Sequence, residues 1–303
     1  MQRFATPSTL GIACAVAGYL LFSGGDAMSK HLRQFEYSAT QISFQYSTTA
    51  VLLLCLCSPW LGGLQRTLQT RRLGLHALRG LLAAPTQALN FFAFSKMPMA
   101  NVYAVIFLAP FLTAALAALF LREKVTRTRW LLIATGFLGV LVAMRPDVYG
   151  FSLPVLAVLV TAVFNSIRNV TVPMLGPQET PLSLALFPAL AVALATCVPA
   201  LLTGKLPTMA HFALLSAGGV MYASGLLLTC LAFRLAPAAL AGPFHYTQIF
   251  WAVLAGMMLF GDWPDVWTLG GSAIIVLCGV ALTVTHHRGG AVASKAPGQP
   301  GDP

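Results

Sequence analysis

Charged side chains are scarce in this sequence. Asp, Glu, Lys and Arg make up 9% of its 303 residues, whereas hydrophobic residues make up 57%. A soluble domain usually carries about 25% charged residues, so this chain lacks the polar surface that would cover a water-soluble globule. Its long apolar segments do not alternate as the strands of a membrane barrel do, which favours helices that cross a bilayer.

Catalytic signatures are missing as well. The sequence contains no G-x-x-x-x-G-K-[ST] motif and therefore encodes no ATP-driven motor. Asp26 follows two glycines, as in an intramembrane aspartyl protease, but no second membrane aspartate is present to complete the catalytic pair. The cysteines lie in apolar runs without zinc-binding spacing, and no cluster of His, Cys and carboxylate indicates a metal site. We therefore expect a protein that is not an enzyme and that binds no metal and no cofactor.

The net charge of +10 has a membrane explanation. Such a charge would suit a nucleic-acid partner, but the basic residues lie between apolar segments, where the positive-inside rule places them in cytoplasmic loops. If the N-terminus is cytoplasmic and the chain crosses ten times, most Lys and Arg residues fall on the cytoplasmic side. We therefore predict both termini in the cytoplasm, the lipid bilayer as partner and no nucleic-acid partner. The sequence indicates no oligomeric state, and a monomer is compatible with it.

Ten apolar segments are predicted to form an all-α integral membrane protein. Their approximate bounds are 8–29, 39–60, 73–95, 99–121, 128–145, 151–171, 181–203, 209–232, 238–260 and 265–286. The tail that follows is rich in Gly, Ala and Pro, a composition typical of disorder.

The two halves of the chain match each other at an offset of 139 residues. The ungapped matches include the pairs Gly80/Gly219, Pro98/Pro237 and Glu123/Asp262. Each copy holds five helices, and because five is odd the second copy enters the membrane from the opposite side. This predicts two inverted five-helix repeats, at residues 1–146 and 147–287, and a disordered cytoplasmic tail at residues 288–303. Pro110 aligns with Ile249, so we expect the helix kinks of the two halves not to be symmetric.

Inverted repeats are characteristic of transporters with a site near the middle of the membrane. Two inverted halves can exchange conformations, which gives one inward-open and one outward-open state. The alternative is a duplication with a structural role only.

Each copy resembles the EamA repeat of the drug/metabolite transporter superfamily. The residues that carry the resemblance are Ala93-Phe94, Pro110, Glu123 and Gly139-Val140 in the first copy, and Ala232-Phe233, Asp262 and Gly279-Val280 in the second. Asp262 departs from the usual Glu. More narrowly, the whole chain resembles YddG-type bacterial exporters of aromatic amino acids. The resemblance implies a secondary transporter or facilitator of the bacterial inner membrane that exports amino acids, including aromatic and other neutral ones, by alternating access. The alternative is an exporter of drugs or other metabolites from the same superfamily.

Polar and aromatic residues at helical spacing mark faces that we expect to line a substrate path. The candidate substrate-binding residues are Gln45, Gln87, Asn90, Phe91, Tyr103, Asn165, Tyr222, His245, Tyr246, Gln248 and Trp251. Such side chains can alternatively hold helices together by hydrogen bonds. We expect the site between the third and fourth helices of one half and the eighth and ninth helices of the other.

Three ionisable residues lie within or near these faces. Asp26 could contact a substrate ammonium or carry a coupling proton, or it could pair with Lys30 one helical turn further on. His245 could titrate near neutral pH and couple transport to protons, although we prefer a neutral hydrogen-bonding role. Arg168 could attract a carboxylate, although extension of its side chain to the membrane interface is the default expectation.

Overall fold

The computed structural model describes residues 7–120, 126–144, 152–176, 178–236 and 241–293, and within these residues it is all-helical with no strand. The first half contains α1 (Pro7–Arg33), α2 (Ala39–Leu56), α3 (Leu64–Leu68), α4 (Leu73–Phe94), α5 (Met99–Ile106), α6 (Leu108–Phe120) and α7 (Arg127–Met144). The second half contains α8 (Leu153–Leu175), α9 (Pro181–Thr203), α10 (Met209–Leu235), α11 (Thr247–Ala255) and α12 (Val266–Ala293). Short 3₁₀ helices lie at Ser58–Leu61 and Gly242–Tyr246, and a π-helical turn lies at Gly256–Phe260.

Among the described residues, 6 helical segments are long and apolar enough to cross a membrane. They are Ser8–Arg33, Met99–Phe120, Arg127–Met144, Leu153–Leu175, Leu182–Leu202 and Met209–Leu235. The helices α2 and α4 are not among them, and both carry glutamines within their length. The chain is therefore a multi-pass membrane protein, while the arrangement of ten spans stays a prediction.

Two of the predicted helices are interrupted near their middle. The predicted helix at 99–121 divides into α5 and α6 at Phe107. Pro110 explains this break, because its ring displaces the carbonyl of the residue four positions earlier, Ile106. The first residues of the predicted helix at 238–260 lie outside the described residues. Its described part contains a 3₁₀ turn at Gly242–Tyr246, which is followed by α-helix from Thr247.

These two interruptions fall at equivalent positions of the two halves, because Phe107 matches Tyr246 at the offset of 139. The two halves thus share the position of an irregularity, while the expectation of asymmetric kinks, which rested on Pro110, stays a prediction. Pro243 lies in the first turn of the 3₁₀ segment and produces the second interruption from a different sequence position.

Helix α12 continues to Ala293, into the segment predicted as a disordered tail, and residues 294–303 lie outside the described residues. Glu123 of the repeat pattern also lies outside them.

Candidate functional site

A central cavity of about 250 Å³ lies between α1, α4, α5, α8, α9, α10 and the segment that contains the 3₁₀ turn and α11. Its walls contain Asp26 and these predicted substrate-binding residues: Gln87, Asn90, Phe91, Tyr103, Asn165, Tyr222, His245 and Gln248. The helical-spacing argument thus places side chains from both halves around one space. Among the described residues, no group of three His, Cys, Asp or Glu side chains is placed to hold a metal ion.

Three predicted residues lie outside this cavity. Gln45 donates to the hydroxyl of Ser216 at 3.4 Å and lines a separate cavity. Tyr246 is buried against Phe107, with ring centroids 5.1 Å apart, and Trp251 packs on the ring of Phe250. Tyr246 and Trp251 were predicted because they lie close in sequence to His245 and Gln248. Tyr246 directly follows His245, and adjacent residues of a helix do not face the same side.

Asp26 is held by groups from two other elements. The hydroxyl of Tyr103 on α5 donates a hydrogen bond to the Asp26 carboxylate. The side-chain amide of Gln248 on α11 donates to the Tyr103 hydroxyl at 3.2 Å. Ser23, one turn before Asp26, donates to the backbone carbonyl of Gln248 at 3.3 Å. This network joins α1, α5 and α11 at one end of the cavity.

Lys30 does not pair with Asp26, so the ion-pair alternative considered for these two residues is wrong. Lys30 Nζ lies 2.5 Å from the carboxylate of Asp262 and donates to the carbonyl of Met97 at 3.2 Å. The ammonium also lies 4.7 Å from the ring centre of Phe260. Lys30 pairs with Asp262 because that carboxylate lies within reach of its ammonium. The carboxylate of Asp26 instead accepts a hydrogen bond from Tyr103. The end of α1 is thereby joined to the connections that precede α5 and α12.

Arg168 on α8 also lies in the cavity wall. Its Nη1 donates to Asn165 Oδ1 at 3.2 Å, and its buried Nε makes no hydrogen bond to any described residue. The expected extension of this side chain to the membrane interface is wrong, because Asn165, one turn earlier on α8, holds the guanidinium at the cavity wall. No described carboxylate forms an ion pair with Arg168.

Arg79 reinforces the positive charge near Arg168. Its Nη1 donates to the backbone carbonyl of Arg168 at 2.6 Å and to Thr171 Oγ1 at 3.3 Å. Arg79 is buried, and like Arg168 it has no carboxylate partner among the described residues. Buried cations without a counter-ion are costly in a membrane, so this end of the cavity favours an anionic group.

Aromatic rings form much of the remaining wall. Tyr19 stacks on His245 with centroids 4.9 Å apart, and Phe22 packs edge-on against Tyr222 at 5.7 Å. The sequence reasoning missed Tyr19 and Phe22, although both precede Asp26 at helical spacing on the same face of α1. His245 lies between the rings of Tyr19 and Phe107, surroundings that suit a neutral imidazole.

Gln87 and Asn90 both line the cavity and join helices. Ser47 on α2 donates to Gln87 Oε1 at 3.1 Å, and Thr161 on α8 donates to Asn90 Oδ1 at 2.9 Å. The buried Nε2 of Gln87 has no hydrogen-bond partner among the described residues. The two interpretations of these polar stripes, as cavity lining and as interhelical contacts, therefore coexist in the same side chains.

Comparisons with known proteins show the class of this molecule. Residues 9–145 match the EamA-like transporter family. An S-adenosylmethionine uptake transporter of Rickettsia bellii is 26% identical over 88% of this chain and 91% of its own length. A riboflavin transporter of Vibrio cholerae is 29% identical over 82% of this chain and 84% of its own length. A pseudopaline exporter of Pseudomonas aeruginosa is 26% identical over 91% of this chain and 96% of its own length.

A solved crystal structure shares the fold, with a TM-score of 0.65 and 16% identity over 92% of this chain and 97% of that one. The names of the relatives concern three different substrates, so they support transport of a small molecule and not export of amino acids in particular. The resemblance seen in the sequence is confirmed: residues 9–145 match the EamA-like transporter family, and the chain is similar over most of its length to membrane transporters.

Proposed function

We propose that this protein is a secondary transporter or facilitator that exports amino acids across the bacterial inner membrane by alternating access. The observation that carries this proposal is the presence of Asp26 and Arg168 in the wall of one cavity. A zwitterion bound there would direct its ammonium toward Asp26 and its carboxylate toward Arg168. Aromatic rings in the same cavity wall suit an apolar or aromatic side chain.

The charge of Arg168 favours a ligand with a carboxylate. A guanidinium offers five donors, and among the described residues only one donor of Arg168 meets a side-chain acceptor, on Asn165. A substrate carboxylate can accept two of the others in a bidentate contact. A phosphorylated substrate would need several basic residues around its phosphate, and among the described residues Arg168 is the basic residue in the cavity wall.

The packing of the helices supports two inverted repeats. Helix α1 packs along α10, and the equivalent helices α8 and α4 pack along each other. Helix α2 packs on α10, and the equivalent pair α9 and α4 does the same. The matched glycines take part in these contacts. A Cβ on Gly80 would lie 2.4 Å from that of Ala191 on α9, and a Cβ on Gly219 would lie 2.7 Å from that of Thr49 on α2.

Polar contacts that could open and close lie at both predicted membrane faces. On the predicted outer side, Lys30 binds Asp262. On the predicted cytoplasmic side, His76 Nε2 lies 3.2 Å from the carboxylate of Glu179, which also accepts a hydrogen bond from Thr70. The predicted orientation, with both termini inside, assigns these two groups of contacts to opposite faces of the membrane. Alternating access requires the contacts at one face to break while those at the other face remain formed.

The alternative is a transporter of another metabolite from the same superfamily. The aromatic rings of Tyr19, Phe22 and Tyr222 favour it, because they can stack on a heterocycle as readily as on an amino-acid side chain. S-Adenosylmethionine, named for one relative, combines a heterocycle with an amino-acid group and would also use both charged ends of the cavity.

Counterflow into proteoliposomes tests the proposal. Labelled Phe, Thr, Met and S-adenosylmethionine are offered to vesicles with and without unlabelled substrate inside. Uptake of the labelled amino acids only into preloaded vesicles supports amino-acid transport. Uptake of S-adenosylmethionine alone, by a protein that is folded by thermal-unfolding criteria, favours the alternative.

A further inference from the structure

A second cavity lies apart from the substrate site, at the predicted cytoplasmic face. It measures about 650 Å³ and is formed by the connection between α2 and α4 and the connection between α8 and α9. Its polar wall includes Arg66, Arg71, Arg72, Gln69, Gln178 and Glu179. The transport cycle proposed above gives none of the three arginines a role.

The charge in this cavity is unbalanced. The guanidinium groups of Arg66, Arg71 and Arg72 are exposed, and they form no ion pair with any described carboxylate. Of the described residues in the cavity wall, Glu179 alone supplies a carboxylate, and its oxygens accept hydrogen bonds from Thr70, Ser183 and His76. The cavity therefore contains three guanidinium groups and one carboxylate, and that carboxylate already accepts hydrogen bonds from other side chains.

Glu179 stays ionised at neutral pH. Partial burial raises the pKa of Glu179, but the hydrogen bonds from Thr70, Ser183 and His76 outweigh this effect, so its pKa lies below the usual value for Glu. The carboxylate is thus fixed as an acceptor toward the protein, and the arginines remain free to bind an anion from outside.

The segment that carries these arginines is ordered by specific contacts. The hydroxyls of Thr67 and Thr180 lie 2.9 Å apart and join the two connections. Gly62 and Gly63 have φ angles of 107° and 87°, which an L side chain rarely adopts, and they turn the chain into α3. The three arginines therefore lie in and beside a short helix that is attached to α9, rather than on an unattached loop.

Apolar side chains border the same segment. Trp60 is 78% exposed and Leu68 is 54% exposed. Tryptophan is enriched at the membrane–water interface, so both side chains can enter the bilayer at the level of the lipid headgroups. Guanidinium groups bind phosphate oxygens in bidentate geometry, and basic pockets at the cytoplasmic side of membrane proteins bind anionic headgroups.

We propose that this cavity, which we call the arginine cavity, binds a phosphate group, and that its source is the headgroup of an anionic phospholipid in the cytoplasmic leaflet. Trp60 and Leu68 would contact the lipid beside its headgroup. Lipid binding at this site does not depend on which molecule is transported, so it can be tested separately from the proposed function.

The test is lipid binding by the full-length protein in detergent, measured as the rise in melting temperature during titration with phosphatidylglycerol or phosphatidylcholine. The variant is R71Q/R72Q, and the matched control is R127Q/R234Q, which removes two exposed basic residues from other parts of the predicted cytoplasmic face. We expect phosphatidylglycerol to stabilise the wild type and the control alike. At about fivefold per arginine, R71Q/R72Q should require about 25-fold more lipid for the same shift.

A parallel titration with inorganic phosphate separates the two sources. A rise with phosphatidylglycerol alone supports a lipid site, and an equal rise with inorganic phosphate, lost in R71Q/R72Q, supports the cavity but assigns it to free phosphate. Equal stabilisation of the wild type and R71Q/R72Q by phosphatidylglycerol, or equal effects of phosphatidylglycerol and phosphatidylcholine on the wild type, would overturn the proposal.

Discussion

Phe107 and Tyr246 contact each other with ring centroids 5.1 Å apart, and they are equivalent residues at the 139-residue offset between the two halves. A residue touches its own equivalent only where it lies close to the axis that relates two repeats. Both residues also mark the point at which their helices are interrupted. In inverted-repeat transporters such interrupted helices form the substrate site, and here Ile106 and His245, the residues directly before the pair, line the central cavity.

The carboxylate of Asp26 is the first side chain to test for proton coupling. Asparagine at this position has almost the same shape and can still accept the hydrogen bond from Tyr103. If Asp26 carries the coupling proton, transport by Asp26→Asn should lose its dependence on a pH gradient across the liposome membrane. Because the variant also lacks the charge that attracts the substrate ammonium, its remaining counterflow should need a higher substrate concentration. The matched variant His245→Asn removes the second titratable candidate from the same cavity. A pH dependence in Asp26→Asn equal to that of the wild type would rule out coupling through Asp26.

Arg168 should determine whether the substrate carboxylate is bound. Loss of one charge-assisted hydrogen bond costs about 1.5–3 kcal/mol, so Arg168→Gln should raise the half-saturating concentration of an amino acid in counterflow by about tenfold or more. Arg168→Lys should restore part of the affinity, because a lysine keeps the charge but not the bidentate geometry.

The matched ligand control for Arg168 is an amino-acid amide, which lacks the carboxylate. Its affinity should be low in the wild type and should change little in Arg168→Gln. An equal loss of affinity for the acid and for the amide would show that Arg168 has only a structural role.

The ion pair between Lys30 and Asp262 should hold the predicted outer face closed. Asp262→Asn removes the charge that binds the Lys30 ammonium, so the outward-open state should become more populated. The measurement is labelling by an impermeant maleimide of a cysteine placed at Ile106, in a background without the native cysteines. Faster labelling from the predicted outer side is expected, and the charge exchange K30D/D262K should return the rate toward that of the parent. Unchanged labelling in Asp262→Asn would show that this ion pair does not control access.

Much of this architecture could be predicted from the sequence, because apolar length and internal matches are local signals. The positions of Gln87, Asn90 and Asn165 in the cavity wall followed from helical spacing alone. Tyr246 and Trp251 did not follow, because closeness in sequence to His245 and Gln248 does not place a side chain on the same helix face. The partner of Lys30 could not be predicted either, because Asp262 lies 232 positions away and only the packed helices bring the two together.

Glu179 offers a stability test with a defined pH dependence. Its folded-state pKa is lowered, so its contribution to stability is present above the unfolded-state pKa of about 4.3 and is lost as the pH falls through the folded-state value. Glu179→Gln should therefore lower the melting temperature between about pH 6 and 8. The difference from the wild type should shrink as the pH falls below the unfolded-state pKa and through the lowered folded-state pKa. A constant difference down to pH 3 would contradict ionic stabilisation by Glu179.

The matched glycines test whether the two halves use equivalent contacts. A Cβ on Gly80 would meet Ala191 at 2.4 Å, and a Cβ on Gly219 would meet Thr49 at 2.7 Å, both below ordinary contact distance. Gly80→Ala and Gly219→Ala should each destabilise the protein by about 1–3 kcal/mol through overpacking.

Gly74 also lies in α4 but has no atom within 4 Å of the position a Cβ would take. Gly74→Ala should be neutral or stabilising, because alanine favours the helix by about 1 kcal/mol over glycine. Thermal unfolding in detergent measures all three variants, and a loss at only one of the two matched glycines would show that the interfaces they occupy are not equivalent.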